Sequence, residues 1–223
     1  MQATTSNIRD AVDNLPPGAV LTLDNVSWDE YESVLEQFVD RSGLRITYDQ
    51  GRLDFVTTSR AHGKREFFIA RMVAVLAEEL NIDIEGDAGS THKRKRYLKG
   101  TEPDTCFYIG NLERIAGKEE INLETDPPPD LVIEVDKSHQ SLRKLPIYAA
   151  FGVPEIWRYL VRQKTAEIHA LQGETYARIP ASRFFPILTN AVLARFVEQS
   201  AVEGQTPAIK AFRRWIKGRK QGA

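Results

Sequence analysis

The chain has 223 residues, of which 42% are hydrophobic and 27% charged, and its formal net charge is -1. These values are typical of a folded globular protein and exclude a fibrous or disordered chain. The length accommodates one α/β core with extensions. A near-neutral chain is not a DNA-coating protein of the strongly basic kind, so any binding of nucleic acid must depend on local charge.

Cys106 is the only cysteine. An internal disulfide is therefore impossible, and a reducing cytoplasm is the expected setting. The N-terminal residues do not resemble a signal peptide, and no apolar run approaches the about 18 residues that a membrane span needs. The sequence therefore predicts a cytoplasmic protein without a membrane partner.

The first half of the chain contains four predicted features. The first dozen or so residues lack apolar periodicity and Pro16-Pro17-Gly18 follows them, so we predict a loose arm over residues 1–24. Ser27 and Glu30 have the spacing of a capping box, which predicts a helix from about Trp28 to Asp40. Alternation on both sides of Gln50-Gly51 predicts a β-hairpin. A long helix follows from His62 to Leu80, with an inward face of Phe67, Phe68, Met72, Val75, Leu76 and Leu80.

The second half alternates strands with a helix. The predicted strands are Ile82–Glu85, Asp104–Ile109, Asp130–Val135, Glu155–Val161 and Glu167–Leu171, and the predicted helix is Ser141–Phe151. Residues 111–126 read as a polar excursion. We predict one domain over residues 25–195, followed by a basic tail over residues 196–223.

Two acidic residues stand out because of their surroundings. Glu134 interrupts a nearly continuous apolar strand, and Asp104 begins another extended segment that could pair beside it. A carboxylate in such a place is costly unless it is paired, hydrogen-bonded or bound to a cation. Two acids on one face of neighbouring strands form an oxygen site that suits Mg²⁺, and such a metal can activate water against a phosphodiester.

Two runs of basic residues provide local positive charge. The first contains Lys93, Arg94, Lys95 and Arg96, and the second lies in the tail between Lys210 and Lys220. We predict that the first run contacts DNA, although a solvated surface is the ordinary alternative for such runs.

A longer series of motifs resembles the Uma family of bacterial proteins assigned as restriction endonucleases. The series consists of Glu102-Pro103-Asp104, Pro129–Val135 and Lys144–Trp157, extended by Gly89-Ser90-Thr91, by His62-Gly63 and by the helix start at Trp28. The resemblance implies a PD-(D/E)XK core within an α/β (α+β) fold: helix, three-stranded antiparallel sheet, helix, strand. The predicted N-terminal helix and hairpin would extend that core.

The resemblance also implies Mg²⁺ or Mn²⁺ as cofactor and DNA as substrate. It assigns the two motif acids to Asp104 and Glu134, with the Val135 carbonyl as a further metal ligand. The superfamily pattern has lysine two residues after the second acid, where this chain has Asp136. Lys137 lies on the opposite face of the strand, so the resemblance nominates Lys144 in the next helix as the catalytic lysine.

Several alternatives remain at this stage. His62 and Asp136 are accessory candidates, the first near the site and the second as a third acid. A catalytically silent protein that binds nucleic acid or acts as a scaffold is the second functional hypothesis, favoured by Asp136 at the lysine position. Cys106 lies mid-strand, which argues against a thiol nucleophile. Cutting both DNA strands would favour a homodimer.

Overall fold

The structure is a computed structural model that describes residues 5–137 and 141–220. Its helices are α1 (Thr5–Asp13), α2 (Trp28–Phe38), α3 (Arg60–Leu80), α4 (Leu112–Ile115), α5 (Ser141–Phe151), α6 (Asn190–Glu203) and α7 (Gln205–Lys220). Its strands are β1 (Val20–Leu23), β2 (Leu44–Asp49), β3 (Arg52–Thr57), β4 (Glu85–Asp87), β5 (His92–Arg94), β6 (Lys99–Thr101), β7 (Thr105–Tyr108), β8 (Leu131–Asp136), β9 (Glu155–Leu160), β10 (Thr165–Gln172) and β11 (Thr175–Ile179). A 3-10 turn occupies Lys95–Tyr97.

The first sheet has the order β1-β3-β2-β6-β5. Its centre is the predicted hairpin, in which β2 and β3 pair from Leu44↔Thr57 to Asp49↔Arg52. The turn places Gln50 and Gly51 at positive φ, the conformation that glycine adopts without steric cost. The capping box that begins α2 is also confirmed, because the Ser27 side chain accepts from the Glu30 N–H while Glu30 accepts from the Ser27 N–H.

The second sheet has the order β11-β10-β9-β8-β7-β4 and carries the predicted core. β4 pairs antiparallel with β7 and β7 antiparallel with β8, whereas β8 and β9 are parallel and are connected through α5. With α3 ahead of them, these elements follow the order helix, three antiparallel strands, helix, strand. The fold class implied by the family resemblance is therefore confirmed.

The alternation of side chains along β8 decides which face carries Glu134. Leu131, Ile133 and Val135 belong to the large apolar cluster that includes residues of α3, α6 and α7. Val132 instead packs in a cluster with Ile147 and Phe151 of α5. Since successive strand residues point to opposite faces, Glu134 shares the α5 face with Val132.

Both ends of the chain differ from the prediction. Residues 5–13 form α1 rather than a loose arm, and Val12 is fully buried against the cluster around α2. The C-terminal segment is a pair of helices rather than an open tail. Ala208, Phe212 and Ile216 of α7 are fully buried in the main core, which makes this segment part of the packed structure.

Two smaller predictions were also wrong. Phe67 does not turn inward, since 59% of its surface is exposed. The strand expected at Ile82–Glu85 begins only at Glu85, and β11 was not predicted.

Among residues 5–137 and 141–220, no helix combines the length and apolar character that crossing a membrane requires.

Candidate active site

Asp104 and Glu134 line one cleft between the two sheets. Asp104 directly precedes β7 and Glu134 lies in β8, and both side chains are almost completely buried. The cleft is also lined by Arg45, His62, Arg65, Val135, Asp136, Lys137, Ser141 and Lys144. The two predicted motif acids therefore face the same space, to which β2, α3 and α5 also contribute.

Three groups hold the Asp104 carboxylate in place. Its Oδ2 accepts a 2.7 Å hydrogen bond from the Val135 N–H. His62 Nε2 lies 2.9 Å from the same oxygen, and Arg45 Nε lies 3.7 Å from Oδ1. The Ser59 side chain caps α3 by accepting from the His62 N–H, which fixes this histidine at the start of the helix.

The Glu134 carboxylate is held from α5. Lys144 Nζ lies 3.0 Å from both Glu134 oxygens and donates to the Glu102 carbonyl at 3.0 Å. The Tyr148 hydroxyl, one helical turn further on, donates to Glu134 Oε1. The nominated lysine is thus a buried partner of the second motif acid, although its catalytic role stays a prediction.

Sequence reasoning missed Glu66 and Arg45. Glu66 Oε2 lies 3.8 Å from His62 Nε2, and Arg45 Nη2 lies 3.7 Å from Glu66 Oε1. The i,i+4 spacing of His62 and Glu66, which puts both on one face of a helix, was the available signal for Glu66. Arg45 had no comparable signal, because it reaches the cleft from a different sheet.

The donor set fits a divalent cation that prefers oxygen. His62, Glu66 and Asp104 each offer one ligand atom within 4.8 Å of the other two. Glu134 is outside that group, with its oxygens bound to Lys144 and Tyr148. Carboxylate oxygens, with or without one imidazole, suit Mg²⁺ or Mn²⁺. Buried acids also repel one another, and a bound cation would relieve that repulsion.

The crowding of charges shifts several pKa values. Burial would raise the pKa of Asp104, but His62, Lys144 and the Val135 N–H outweigh it and lower that pKa. For Glu134, burial and the charge of Asp104 prevail over Lys144 and Tyr148, so its pKa is raised. Burial and the charge of Asp104 raise the pKa of Glu66 to about 7, despite Arg45 and His62.

We expect the metal-free protein, in EDTA, to lose stability as the pH rises from about 5 to about 8. The pKa of Glu66 is raised to about 7 in the folded state, against 4.5 in the unfolded chain, so the folded state keeps a proton that the unfolded chain has already released. Burial lowers the pKa of His62, but Asp104 and Glu66 outweigh burial and raise that pKa. Deprotonation of His62 therefore also lowers the free energy of unfolding as the pH rises. The Glu66 contribution is at most about 3 kcal/mol, and solvent screening reduces it.

Urea unfolding at both pH values measures this change. Glu66→Gln should flatten the dependence, and Glu36→Gln, at an exposed position of α2, is the matched control. A Glu66→Gln variant with the full parental pH dependence would show that Glu66 does not hold the proton.

Asp136 is part of a buried ion pair rather than a free third acid. Its Oδ2 lies 2.8 Å from Arg158 Nη2 and accepts from the Ser141 hydroxyl at 2.6 Å. Arg158 has 2% of its side chain exposed and also contacts Glu167 at 2.8 Å. The carboxylate at the usual lysine position therefore has a structural function, since it neutralises the arginine that β9 places beside β8.

Asp136→Ala should lower the free energy of unfolding by on the order of 3 kcal/mol, because it leaves a buried guanidinium with one carboxylate fewer. Lys137→Ala, at the neighbouring exposed position, should change it by less than about 0.5 kcal/mol. Urea denaturation of the two variants checks this prediction. Equal stability would mean that the ion pair contributes nothing.

All four residues of the basic run contact other groups of the protein, but only Arg94 is buried. Arg94 is buried and donates to the Leu123 carbonyl, and Lys93 Nζ lies 2.5 Å from Glu32. Lys95 is exposed and lies 3.6 Å from Asp29, while the exposed Arg96 stacks on Tyr97. Two of the four predicted DNA contacts, Lys93 and Arg94, are thus already occupied by protein partners.

The structure is thus a mixed α/β fold in which two buried acids face one cleft. A family described as "Putative restriction endonuclease", the Uma2 family, matches residues 28–197. The chain belongs to this family, which confirms the resemblance found in its motifs.

One solved structure supports the fold. The chain is similar to a crystal structure described as a "putative nuclease belonging to DUF820" from Anabaena variabilis, with a TM-score of 0.54 and 14% sequence identity. The similarity covers 77% of this chain and 99% of the other. No curated protein matches the sequence with significance.

Proposed function

We propose that the protein is a metal-dependent endonuclease that hydrolyses DNA phosphodiester bonds in the cleft of Asp104 and Glu134. The proposal rests on the position of Lys144. Its Nζ is 3.0 Å from both Glu134 oxygens, in the cleft that Asp104 also lines. Acid, acid and lysine in one cleft are the three parts of a PD-(D/E)XK site, with the lysine supplied by α5 instead of β8.

Asp104 and Glu134 would hold Mg²⁺ or Mn²⁺, with the Val135 carbonyl, Glu66 and His62 as further candidate ligands. Such a cation polarises the phosphodiester and lowers the pKa of a bound water. The protein contributes pre-organisation, because the Val135 N–H and His62 fix the Asp104 carboxylate before any ligand arrives.

Lys144 would neutralise the negative charge that builds up on the phosphate as water attacks. Its ammonium group is already desolvated and anchored by Glu134 and the Glu102 carbonyl, so little reorganisation is needed during the reaction. Tyr148 would keep the Glu134 carboxylate oriented. Asp136 is left out of the chemistry, since Arg158 and Ser141 already bind it.

DNA would reach the cleft past Arg45 and Arg65, with exposed Lys95 and Arg96 as outer phosphate contacts. The double variant Lys95→Ala/Arg96→Ala should flatten the slope of log affinity against log salt by up to about 1.8, since each lost contact removes about 0.9. Fluorescence anisotropy at several salt concentrations measures the slope. The control is Lys210→Ala/Arg214→Ala on α7, and an unchanged slope would assign Lys95 and Arg96 to ordinary surface.

A catalytically silent nucleic-acid-binding or scaffolding protein is the second candidate. The observation in its favour is that protein cations already neutralise both acids, Lys144 beside Glu134 and His62 beside Asp104. Such a closed network could stabilise a fold without any metal. In that case DNA binding would be independent of Mg²⁺, and no cleavage would occur.

The test is incubation of the purified protein with supercoiled DNA, single-stranded DNA and RNA, each with Mg²⁺, Mn²⁺ or EDTA. The proposal expects DNA cleavage with metal and none with EDTA. Cleavage of RNA alone, or of nothing, would contradict it. Cleavage of both strands would further favour a homodimer, and a cytoplasmic location, which the single cysteine suggests, would give access to DNA.

A further inference from the structure

A second group of metal-binding side chains lies where the two sheets meet, outside the cleft of Asp104 and Glu134. Asp87 of β4 and Cys106 of β7 are cross-strand partners in the second sheet, and His92 belongs to β5 of the first sheet. One ligand atom of each lies within 4.8 Å of the other two. The Cys106 Sγ is 4.0 Å from His92 Nε2.

Two buried side chains beside this group have polar atoms without a partner among the described residues. His92 is 2% exposed, and its Nδ1 forms no hydrogen bond with any residue of the described chain. Tyr108 is 1% exposed, lies on the same face of β7 as Cys106, and likewise has no described partner for its hydroxyl. Each such atom costs about 1–3 kcal/mol, and an ordered water is the usual reason that a fold tolerates them. The other ring nitrogen of His92, Nε2, faces the Cys106 thiol and is the one available to an ion.

The chemistry of the three donors selects the ion. A thiolate, an imidazole and a carboxylate are the ligands of Zn²⁺, whereas Mg²⁺ and Ca²⁺ prefer oxygen alone. With bonds of about 2.3 Å to sulfur and about 2.0 Å to nitrogen, a tetrahedral zinc separates these two atoms by roughly 3.5 Å. The observed 4.0 Å between Sγ and Nε2 needs to close by only a few tenths of an ångström.

We propose that Asp87, His92 and Cys106 bind one Zn²⁺ that joins the two sheets, with water as the fourth ligand. Binding deprotonates the thiol and releases that proton to solvent. Ser90 donates to Asp87 Oδ1 at 2.7 Å and so orients the carboxylate. Asp87 is only partly buried, which gives the ion a route in from the surface.

Cobalt provides a test specific to this site. Cys106 is the only cysteine, so a thiolate-to-Co²⁺ charge-transfer band can arise only there and not in the cleft of Asp104 and Glu134. Titrating the metal-free full chain with Co²⁺ should produce this band, which should reach saturation, and added Zn²⁺ should remove it. Cys106→Ser should abolish the band, and Asp87→Asn or His92→Asn should weaken Co²⁺ binding by about 100-fold or more.

Controls separate this site from the cleft and from misfolding. Glu66→Gln, which alters the other cluster, should leave the band unchanged. Far-ultraviolet circular dichroism shows which variants fold, and Asp87→Asn at the partly exposed position decides the outcome if the two buried variants fail to fold. No band in the native parent with excess Co²⁺ would overturn the proposal. A band that Asp87→Asn leaves at parental affinity would also overturn it, because the cysteine would then bind metal without the carboxylate.

Discussion

Lys144→Ala should cleave DNA on the order of 10²-fold or more slowly than the parent. The lysine is the only cation placed against both Glu134 oxygens among the described residues, and a charge pre-organised at the developing phosphorane contributes about this much. The variant also leaves the buried Glu134 carboxylate without its ion-pair partner. We therefore expect lower stability in EDTA, with metal restoring part of it. Single-turnover nicking of supercoiled DNA, at saturating metal and corrected for the folded fraction, measures the rate.

Two neighbouring variants serve as comparators. Arg143→Ala removes an exposed cation from the same helix, and Lys137→Ala removes the exposed lysine at the cleft edge; both should cleave at nearly the parental rate. A slow Lys137→Ala beside a fast Lys144→Ala would move the catalytic role to Lys137. That result would require a bulge after Glu134, whereas β8 pairs residue by residue with β9 from Glu134↔Arg158 to Asp136↔Leu160.

Magnesium should raise the melting temperature of the parent, and Asp104→Asn or Glu134→Gln should abolish this increase. A cation at 100 times its dissociation constant stabilises the folded state by about 2.7 kcal/mol, which is roughly 5 to 10 °C for a chain of this size. Both variants remove a buried carboxylate that the cation would neutralise. Differential scanning fluorimetry measures the shift.

The metal and the control variant make this experiment specific to the cleft of Asp104 and Glu134. Mg²⁺ is used because it binds poorly to thiolate, so the group around Cys106 should not respond. Glu36→Gln, which removes an exposed acid from α2, should keep the parental shift. A parental shift in both Asp104→Asn and Glu134→Gln would place the cation elsewhere.

Much of the core was predictable because its signals are local. Alternation and a Gln-Gly turn define the β2–β3 hairpin, and the predicted helix Ser141–Phe151 has the observed bounds. Glu134 was conspicuous because an acid inside an apolar strand needs a partner. The family motifs supplied Lys144, which no local pattern would have selected.

The features that the sequence did not reveal depend on contacts between distant parts of the chain. Lys93 and Arg94 look like a cationic surface in the sequence, but their partners, Glu32 and the Leu123 carbonyl, lie far from them along the chain. Arg45 enters the cleft only because the two sheets pack together. The C-terminal helix is different, since Ala208, Phe212 and Ile216 recur every four residues and gave a helical signal that the basic residues obscured.

The proposed role of Asp104 and Glu134 in metal-dependent cleavage of DNA is tested most directly by nicking of supercoiled plasmid. The parent, Asp104→Asn and Glu134→Gln are each incubated with Mg²⁺, Mn²⁺ or EDTA. We predict nicking by the parent with either metal, none in EDTA, and none by either variant despite native folding and retained DNA binding. Nicking that persists in both variants, or in EDTA, would contradict it.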